Sequence, residues 1–283
     1  MGNKKLSIIT INRNNADGLR KTMESVFAQT CKEFEYIVVD GASTDGSVEV
    51  IKEHVNQCMM SNVLWVSEPD SGIYNAMNKG LKMAHGEYAL MLNSGDFLVD
   101  EHVIERIMPE LHTEDMIQGN TIQDFPEVQY RFRGYGRSNI SFLDVIDASF
   151  PHQAMFIKLS TMTQYGYYDE NYKKGSDTYF LITSLGFGNA TFRYVDMDIA
   201  NYDVYGISNN PNWWQVDREE DAKWFGEHMS YRLANLCREA KRTIRLRNTL
   251  HRHKWIWGIV LCLAHISEWL SPSKQNVQKE IVK

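Results

Sequence analysis

The sequence predicts an α/β protein built on a doubly wound, mostly parallel sheet, with flanking helices and a C-terminal helical extension. Two observations in the first hundred residues predict this class. Short apolar runs rich in β-branched residues alternate with segments whose apolar residues recur at helical spacing. The order is strand, helix, strand, helix, strand, helix, strand, which is typical of a parallel doubly wound sheet. The chain has 283 residues, 43% of them hydrophobic, and is long enough to bury a sizeable core.

The first two strands are expected at residues 6–11 and 34–39, because each is a short apolar run. Residues 15–29 lie between them and carry apolar side chains on one helical face. A second helix is expected at residues 48–55. This strand, helix, strand, helix segment is the first unit of the predicted sheet.

The third and fourth strands flank another helix. Residues 64–66 end an apolar strand, and the polar residues 68–72 cannot continue it. Residues 74–85 have apolar side chains at helical spacing, and Gly86 is expected to stop this helix as a left-handed cap. Residues 88–92 form a continuous apolar run, which is typical of a strand covered by helices on both faces.

Aspartates follow two of these strands. Asp40 ends the second strand, and Asp96 closes the polar turn after the fourth. Ligands of open α/β sheets bind outside the carboxyl ends of the strands, so both carboxylates are expected at that crevice. Aspartate is also common at turns, and Thr44 or Asp45 can cap the helix that follows. Capping does not account for Asp40, whose carboxylate can accept hydrogen bonds from a base or a ribose.

Four motifs follow one another along the first hundred residues. They are Ser7-Ile8-Ile9-Thr10, Tyr36-Ile37-Val38-Val39-Asp40-Gly41-Ala42-Ser43-Thr44-Asp45-Gly46, Ser67-Glu68-Pro69-Asp70-Ser71-Gly72-Ile73-Tyr74 and Leu92-Asn93-Ser94-Gly95-Asp96. Together they resemble the motifs of family 2 glycosyltransferases with the GT-A fold, closest to the branch typified by colanic acid and other exopolysaccharide transferases. Two later segments, residues 150–156 and residues 168–177, resemble the acceptor half of that family. The resemblance covers roughly residues 4–210.

The resemblance implies an inverting glycosyltransferase that moves a sugar from a nucleotide diphosphate sugar to a glycan or polyprenyl-linked acceptor in polysaccharide biosynthesis. By the same likeness Asp40 contacts the nucleobase, Asp96 binds Mg²⁺ or Mn²⁺ on the diphosphate, and Asp177 is the catalytic base. The implied donor-binding residues are Thr10, Asn12, Arg13, Asp40, Ser43, Asp70, Gly72, Asn78, Lys79, Asn93 and Ser94. The residues implied for the acceptor or the diphosphate are His152, Gln153 and Trp213.

The sequence departs from the family pattern in its acidic and basic residues. The metal motif of the family usually has two acids, whereas Asp96 is the one carboxylate here. Mg²⁺ is often held by one or two carboxylates together with substrate phosphates, so weak metal affinity without nucleotide is expected. Met77 occupies the position before Asn78 at which many relatives have an arginine. The phosphate charge is therefore expected to be met by Lys79, Arg13 and the metal.

Other functions fit the sequence less well. A catalytically silent nucleotide-sugar-binding subunit would agree with a metal motif that has one acid where the family usually has two. The presence of both Asp96 and Asp177 counts against this alternative. A nucleotidyltransferase would share the nucleotide-binding architecture and would have a glycine-rich, arginine-containing loop after the first strand. Residues 10–14 are too poor in glycine to form such a loop. A glycosidase requires two carboxylates at a defined separation, which a sequence cannot measure.

The net charge of −6 hides an uneven distribution. Residues 230–255 have eight basic residues and one acid, a charge of +7, which leaves −13 on the remainder and argues against a nucleic-acid partner. Residues 255–270 are mainly apolar with tryptophan near both ends, but are shorter than the roughly twenty residues of a spanning helix. This pattern predicts a helix in an anionic membrane interface. The alternative is packing on the catalytic domain or on a second subunit, which leaves a homo-oligomer open.

We expect a catalytic domain at residues 1–225 and a basic, amphipathic helical extension at 226–283. Within the domain, residues 1–100 form the nucleotide-sugar-binding half and 101–225 the acceptor half. The four cysteines lack metal or redox spacing, which favours reduced thiols in the cytosol. The polar start of the chain predicts no signal peptide. The expected location is cytoplasmic and peripheral, on the inner face of the plasma membrane.

Overall fold

A computed structural model describes residues 4–58, 60, 62–125, 128–147, 150–204, 206 and 214–252. The strands are β1 (Leu6–Asn12), β2 (Phe34–Asp40), β3 (Val63–Ser67), β4 (Tyr88–Met91), β5 (Phe97–Leu98), β6 (Met116–Phe125), β7 (Val128–Phe132), β8 (Met155–Lys158) and β9 (Phe192–Tyr202). The α-helices are α1 (Ala16–Phe27), α2 (Ser47–Gln57), α3 (Ile73–Met83), α4 (Val103–Ile107), α5 (Phe142–Asp147), α6 (Leu159–Tyr165), α7 (Ser176–Leu181), α8 (Trp214–His228) and α9 (Tyr231–Arg252). Shorter helical turns are the 3-10 turns Met108–Glu110 and His152–Ala154 and the π-helical turn Ile182–Phe187.

The nine strands of the described residues belong to one mixed sheet, in the order β3-β2-β1-β4-β8-β6-β9-β5, with β7 paired to β6. The four strands nearest the N-terminus are parallel, as the strand and helix alternation predicts. Strand β8 then runs antiparallel between β4 and β6, whereas β9 pairs with β6 in parallel. The carboxyl ends of β1 and β2 are in register at Asn12 and Asp40. The polar residues after β1, β2, β3 and β4 therefore gather at one edge.

The core lies on both faces of the sheet. Alternate residues of β1 face opposite sides, so Leu6 and Ile8 pack in one cluster with α1 and α2, whereas Ile9 and Ile11 pack in the other with α3. Every residue of β1 and β2 is buried, which explains why these strands are nearly continuous apolar runs. The doubly wound arrangement expected from the sequence is thereby confirmed.

Two turns show how local residues position these elements. Asp45 precedes α2 and its Oδ1 accepts hydrogen bonds from the backbone N–H of Ser47 at 3.1 Å and from the Ser47 hydroxyl at 2.6 Å. Helix α3 ends at Met83, so the expectation that Gly86 is its left-handed cap is wrong. Gly86 instead allows a close approach to β1, because a Cβ there would lie 2.6 Å from the Ser7 hydroxyl.

The chain divides into two compact units, Met1–Met229 and Ser230–Lys283. The first contains the sheet with α1 to α8, and the second contains α9. Within the described residues, no helix has both the length and the apolar character to cross a membrane. The apolar stretch 255–270, for which the sequence predicts an interfacial helix, lies outside the described residues.

Candidate functional site

A cavity of about 560 Å³ opens at the carboxyl ends of β1 and β4. Its lining comes from the ends of several strands and from the turn that contains His152. The lining residues are Ile11, Asn12, Arg13, Asn15, Asp70, Gly72, Ile73, Ala76, Asn93, Ser94, Asp96, His152, Gln153, Tyr202, Asp203 and Gly206. Nine of the residues that the sequence predicts for the site are among them, so the cavity brings much of the predicted site together.

Asp40 lies behind this surface and is fully buried. Its carboxylate accepts hydrogen bonds from the backbone N–H and hydroxyl of Ser43 at 2.9 and 2.6 Å, from the Ser67 hydroxyl at 2.7 Å and from Asn12 Nδ2 at 2.9 Å. Burial alone would raise the pKa of Asp40, but these donors hold it below the usual value. Asp40 and Ser43 are not among the lining residues, and protein donors enclose the Asp40 carboxylate, which argues against the direct donor contact predicted for them.

Thr10 is also a core residue. Its hydroxyl donates to the Leu92 carbonyl at 2.7 Å and accepts from the Tyr36 hydroxyl at 3.0 Å. The side chain is fully buried between strands, which favours a structural role and argues against the donor contact predicted for Thr10. It ties β1 to the residue that follows β4.

Arg13 and Asp70 form a pair at the rim of the cavity. Arg13 Nη1 lies 3.3 Å from Asp70 Oδ1, and the Arg13 side chain is 63% exposed. Gly41 allows Asp70 to sit here, since a Cβ at position 41 would lie 2.3 Å from Asp70 Oδ2. Asp70 Oδ1 also accepts from the backbone N–H of Gly72. Among the described lining residues, Arg13 is the one lysine or arginine, and it can reach a phosphate.

Asn78 and Lys79 on α3 are turned away from this cavity. Asn78 is buried and donates from Nδ2 to the Tyr168 carbonyl and to Glu170 Oε1, both at 2.8 Å. Lys79 Nζ donates to the Pro69 carbonyl and forms an ion pair with Glu68, both at 2.8 Å. The polar atoms of both residues are engaged elsewhere, which argues against the donor contact predicted for them.

Asp96 reaches the cavity from the turn after β4. The residue is only 4% exposed, so its carboxylate is largely shielded from solvent. Asp96 Oδ1 accepts the backbone N–H of Asp203 at 2.8 Å. Burial raises the pKa of Asp96 to about 6, although the charge of His152 and hydrogen bonds from Asp203 and Gln153 oppose this. Asp96 is thus a carboxylate whose charge is only partly compensated.

His152 connects this end of the cavity to Asp177. Its Nε2 lies 3.0 Å from Asn93 Nδ2, and its Nδ1 lies 3.5 Å from Asp177 Oδ2. Tyr74 donates its hydroxyl to the other oxygen of Asp177 at 3.0 Å. The Asp177 side chain is 25% exposed and stands behind His152, outside the lining of the cavity.

His152 and Asp177 each favour the charged form of the other. Burial alone would lower the pKa of His152, but the hydrogen bond and charge of Asp177, with the charge of Asp96, raise it. Burial alone would raise the pKa of Asp177, but the hydrogen bonds and charge of His152 and the hydrogen bond from Tyr74 hold it below the usual value. Asp177 is consequently an ionised carboxylate with a defined orientation.

Seven of the described lining residues were not expected from the sequence, and two of them, Asn15 and Asp203, have polar side chains that contact the turn after β4. Asn15 caps α1 by accepting from the Gly18 N–H and also donates to the Ser94 carbonyl at 3.2 Å. Asp203 directly follows β9, and an aspartate after a strand is the same pattern that identifies Asp96. Asp203 is not predicted as a site residue from the sequence, because no strand is predicted at the position of β9. Trp213, expected near the acceptor, lies outside the described residues.

Sequence comparison gives a consistent set of relatives. Residues 7–175 match the model of the family described as glycosyl transferase family 2. A PGL/p-HBAD biosynthesis glycosyltransferase of Mycobacterium tuberculosis is 27% identical over 207 residues, covering 72% of this chain and 78% of the relative. A second glycosyltransferase of that species is 28% identical over 221 residues, covering 72% and 77%.

Solved structures share the fold. S. aureus TarS 1-349 in complex with UDP-GlcNAc aligns with a TM-score of 0.63 at 17% identity, covering 82% of this chain and 70% of that chain. The mannosyltransferase PcManGT from Pyrobaculum calidifontis, in complex with GDP-Man and Mn²⁺, aligns with a TM-score of 0.59 at 15% identity, covering 79% and 63%. These similarities establish the architecture of the sheet and its helices.

Proposed function

The chain belongs to glycosyl transferase family 2 and is a glycosyltransferase, and from this premise we propose an inverting enzyme that takes a sugar from a nucleotide diphosphate sugar and delivers it to a glycan or lipid-linked acceptor. The observation that carries the proposal is one cavity with Asp96 and Asn93 at its wall and the His152 and Asp177 pair beside them. The donor diphosphate belongs near Asp96 and Arg13, and the acceptor hydroxyl near Asp177. The TarS complex with UDP-GlcNAc supports a donor of this class.

A divalent cation, Mg²⁺ or Mn²⁺, fits the residues at Asp96. The buried side-chain oxygens of Asn12 and Asn93, both residues of the cavity wall, accept no hydrogen bond from the described residues. Carboxylate and amide oxygens are the ligands these hard cations prefer. No cluster of three or more His, Cys, Asp or Glu side chains within the described ranges could hold a metal alone, which agrees with a cation that binds together with the donor phosphates. When bound, the cation would stabilise negative charge on the leaving diphosphate.

Asp177 is the proposed general base. The acceptor oxygen forms a bond to the anomeric carbon on the face opposite the diphosphate, the bond to the diphosphate breaks, and the acceptor proton moves to Asp177. Hydrogen bonds from Tyr74 and His152 fix the carboxylate and keep it ionised. Each oxygen retains a lone pair for the acceptor proton, because a carboxylate offers about four acceptor sites.

The enzyme is further proposed to work at the cytoplasmic face of a membrane, on a lipid-linked or growing glycan. The support is the charge of +7 over residues 230–255, most of which lies in α9. Lysine and arginine side chains near an anionic lipid surface attract it at about 1 kcal/mol each. The named relative from M. tuberculosis acts in PGL/p-HBAD biosynthesis, which is compatible with a lipid acceptor.

A thermal-shift screen tests the donor assignment. The full-length chain is mixed with UDP-sugars and GDP-sugars, with and without Mn²⁺, and its melting temperature is recorded. A ligand that binds the native state raises this temperature. We expect one nucleotide class to raise it, with a larger rise in the presence of Mn²⁺. If no nucleotide sugar changes the melting temperature under either condition, the proposed donor site is wrong.

A further inference from the structure

Asp203 stands where the last strand of the sheet reaches the cavity. It directly follows β9, lines the cavity and donates its backbone N–H to Asp96 Oδ1 at 2.8 Å. Asp203 lies 107 positions from Asp96 in the chain. The structure thus joins the end of β9 to the turn after β4 at the buried carboxylate.

The side chain of Asp203 lies against the same turn. Gly95 has a φ of +105°, and a Cβ at this position would lie 2.8 Å from Asp203 Oδ2 and 3.3 Å from Asp203 Cβ. A residue with a side chain at position 95 would therefore be strained and would also displace Asp203. Glycine leaves the space in which the Asp203 carboxylate approaches the backbone next to Asp96.

Asp96 and Asp203 both line the cavity, as does Asn93 from the same turn as Asp96. The buried amide oxygen of Asn93 accepts no hydrogen bond from the described residues. Carboxylate and amide oxygens are ligands that Mg²⁺ prefers, and one or two carboxylates with substrate phosphates form a ligand set that this cation takes.

We propose that Asp203 supplies the second carboxylate of the cation site, so that Asp96 from the turn after β4 and Asp203 from the end of β9 hold one Mg²⁺ or Mn²⁺ together with the donor diphosphate. This inference rests on the proposed function, since it concerns the same cavity and donor. It accounts for the single acid in the turn after β4, because the missing carboxylate comes from the far end of the sheet. It also gives Gly95 a reason for its conformation.

The variant Asp203→Asn tests the role of the carboxylate separately from that of the backbone N–H. It keeps the N–H that donates to Asp96 and removes only the negative charge of the side chain. Asp203→Ser does the same with a smaller polar side chain, and Asp203→Glu restores a carboxylate on a longer side chain. Asp17→Asn is the matched control, since Asp17 is an exposed acid of α1 that does not line the cavity. Thermal unfolding of each variant establishes that it is folded.

The experiment titrates full-length protein with Mn²⁺ in the presence of UDP and of GDP, following bound Mn²⁺ by electron paramagnetic resonance. Nucleotide binding without metal is measured in parallel by calorimetry. We expect Asp203→Asn and Asp203→Ser to weaken Mn²⁺ binding at least about tenfold, the loss typical when a group that supports a metal is removed. Asp203→Glu should recover part of it, Asp17→Asn should match the wild type, and metal-free nucleotide binding should be unchanged.

Three results would overturn this assignment. If Asp96→Asn loses Mn²⁺ binding while Asp203→Asn and Asp203→Ser retain it, Asp203 acts only through its backbone N–H and the proposed donor site stands. If the Asp203 variants lose metal-free nucleotide binding equally, the side chain contacts the nucleotide. If the wild type binds no Mn²⁺ with either nucleotide, the cation part of the proposed function fails together with this inference.

Discussion

At the scale of single residues, the chemistry centres on two acids with opposite pKa shifts, the buried Asp96 and the half-buried Asp177. The pKa of Asp96 is raised mainly by burial, whereas that of Asp177 is lowered because hydrogen bonds outweigh burial. Ionisation of Asp96 therefore has a free-energy cost from burial that a bound cation can offset. Asp177 stays ionised and can accept a proton. His152 links the two residues electrostatically, because the charges of both raise its pKa.

Replacing Asp96 with Asn should stabilise the protein without ligands and abolish metal-dependent nucleotide binding. The folded pKa of about 6 exceeds the unfolded value of 3.8, so the native state binds more protons between these values and stability falls as pH rises through that window. Above pH 6 the cost is at most about 3 kcal/mol, and the amide avoids it while still accepting the Asp203 N–H. Urea unfolding at pH 7.5 measures the gain. A variant that is less stable than the wild type at that pH, or that keeps Mn²⁺-dependent binding, would refute the role of Asp96.

Replacing Asp177 with Asn should preserve donor affinity and reduce turnover by at least about a hundredfold, since a base acts on the acceptor proton. Calorimetry with the donor and a transfer assay measure the two effects separately. A parallel collapse of donor affinity and turnover would show that Asp177 binds the donor or supports the fold. The base would then be sought at Asp169 or Glu170.

Replacing His152 with Gln should move the acidic limb of the pH profile of kcat/KM to higher pH. The hydrogen bond and charge of His152 lower the pKa of Asp177, so their loss lets burial raise that pKa, and the base is protonated at a higher pH. Part of the activity should return at alkaline pH. An unchanged acidic limb would mean that His152 does not act through Asp177.

At the scale of the elements, the site is assembled by the carboxyl ends of strands, and this much could be predicted from the sequence. The apolar runs of β1, β2 and β4 and the polar residues after them identify the edge at which Asn12, Asn93 and Asp96 meet. What the sequence could not reveal is which polar atoms are already engaged. Asn78 looks like a ligand in its motif, yet its partners lie 90 or more residues away.

The second half of the catalytic domain was harder to predict from the sequence, because its arrangement also depends on contacts between distant residues. Strand β9 is long and mostly half-buried, without the continuous apolar pattern of β1. Its pairing with β6 joins residues 76 to 79 positions apart, so the position of Asp203 beside Asp96 depends on long-range contacts. Local periodicity carries no information about such pairing.

Replacing Asn78 with Ala should destabilise the domain and leave donor affinity nearly unchanged. The amide of Asn78 bonds both backbone groups of Tyr168 and the carboxylate of Glu170, so its removal leaves buried polar groups unpaired, at about 1 to 3 kcal/mol for each unsatisfied group. Denaturant unfolding and donor calorimetry give the two values. A large loss of donor affinity with unchanged stability would restore Asn78 to the donor site.

At the scale of the whole molecule, the charge distribution predicts membrane association of the C-terminal segment. Because attraction between basic residues and anionic lipid falls off within a Debye length, binding of full-length protein to anionic vesicles should weaken sharply with salt. Removal of residues 255–283 should release the protein to the soluble fraction while donor binding persists. Vesicle flotation at low and high salt measures this. Equal flotation of both forms, or unfolding on truncation, would instead indicate a packing or oligomer element.

The central claim is that this chain transfers a sugar with inversion at the cavity between Asp96 and Asp177. The most direct measurement is the anomeric configuration of the first product, followed by NMR from the donor that the thermal-shift screen identifies, with Mn²⁺ and a short soluble acceptor. We expect a product of inverted configuration, formed by the wild type and at most at about a hundredth of that rate by Asp177→Asn. A product that retains the donor configuration would contradict it.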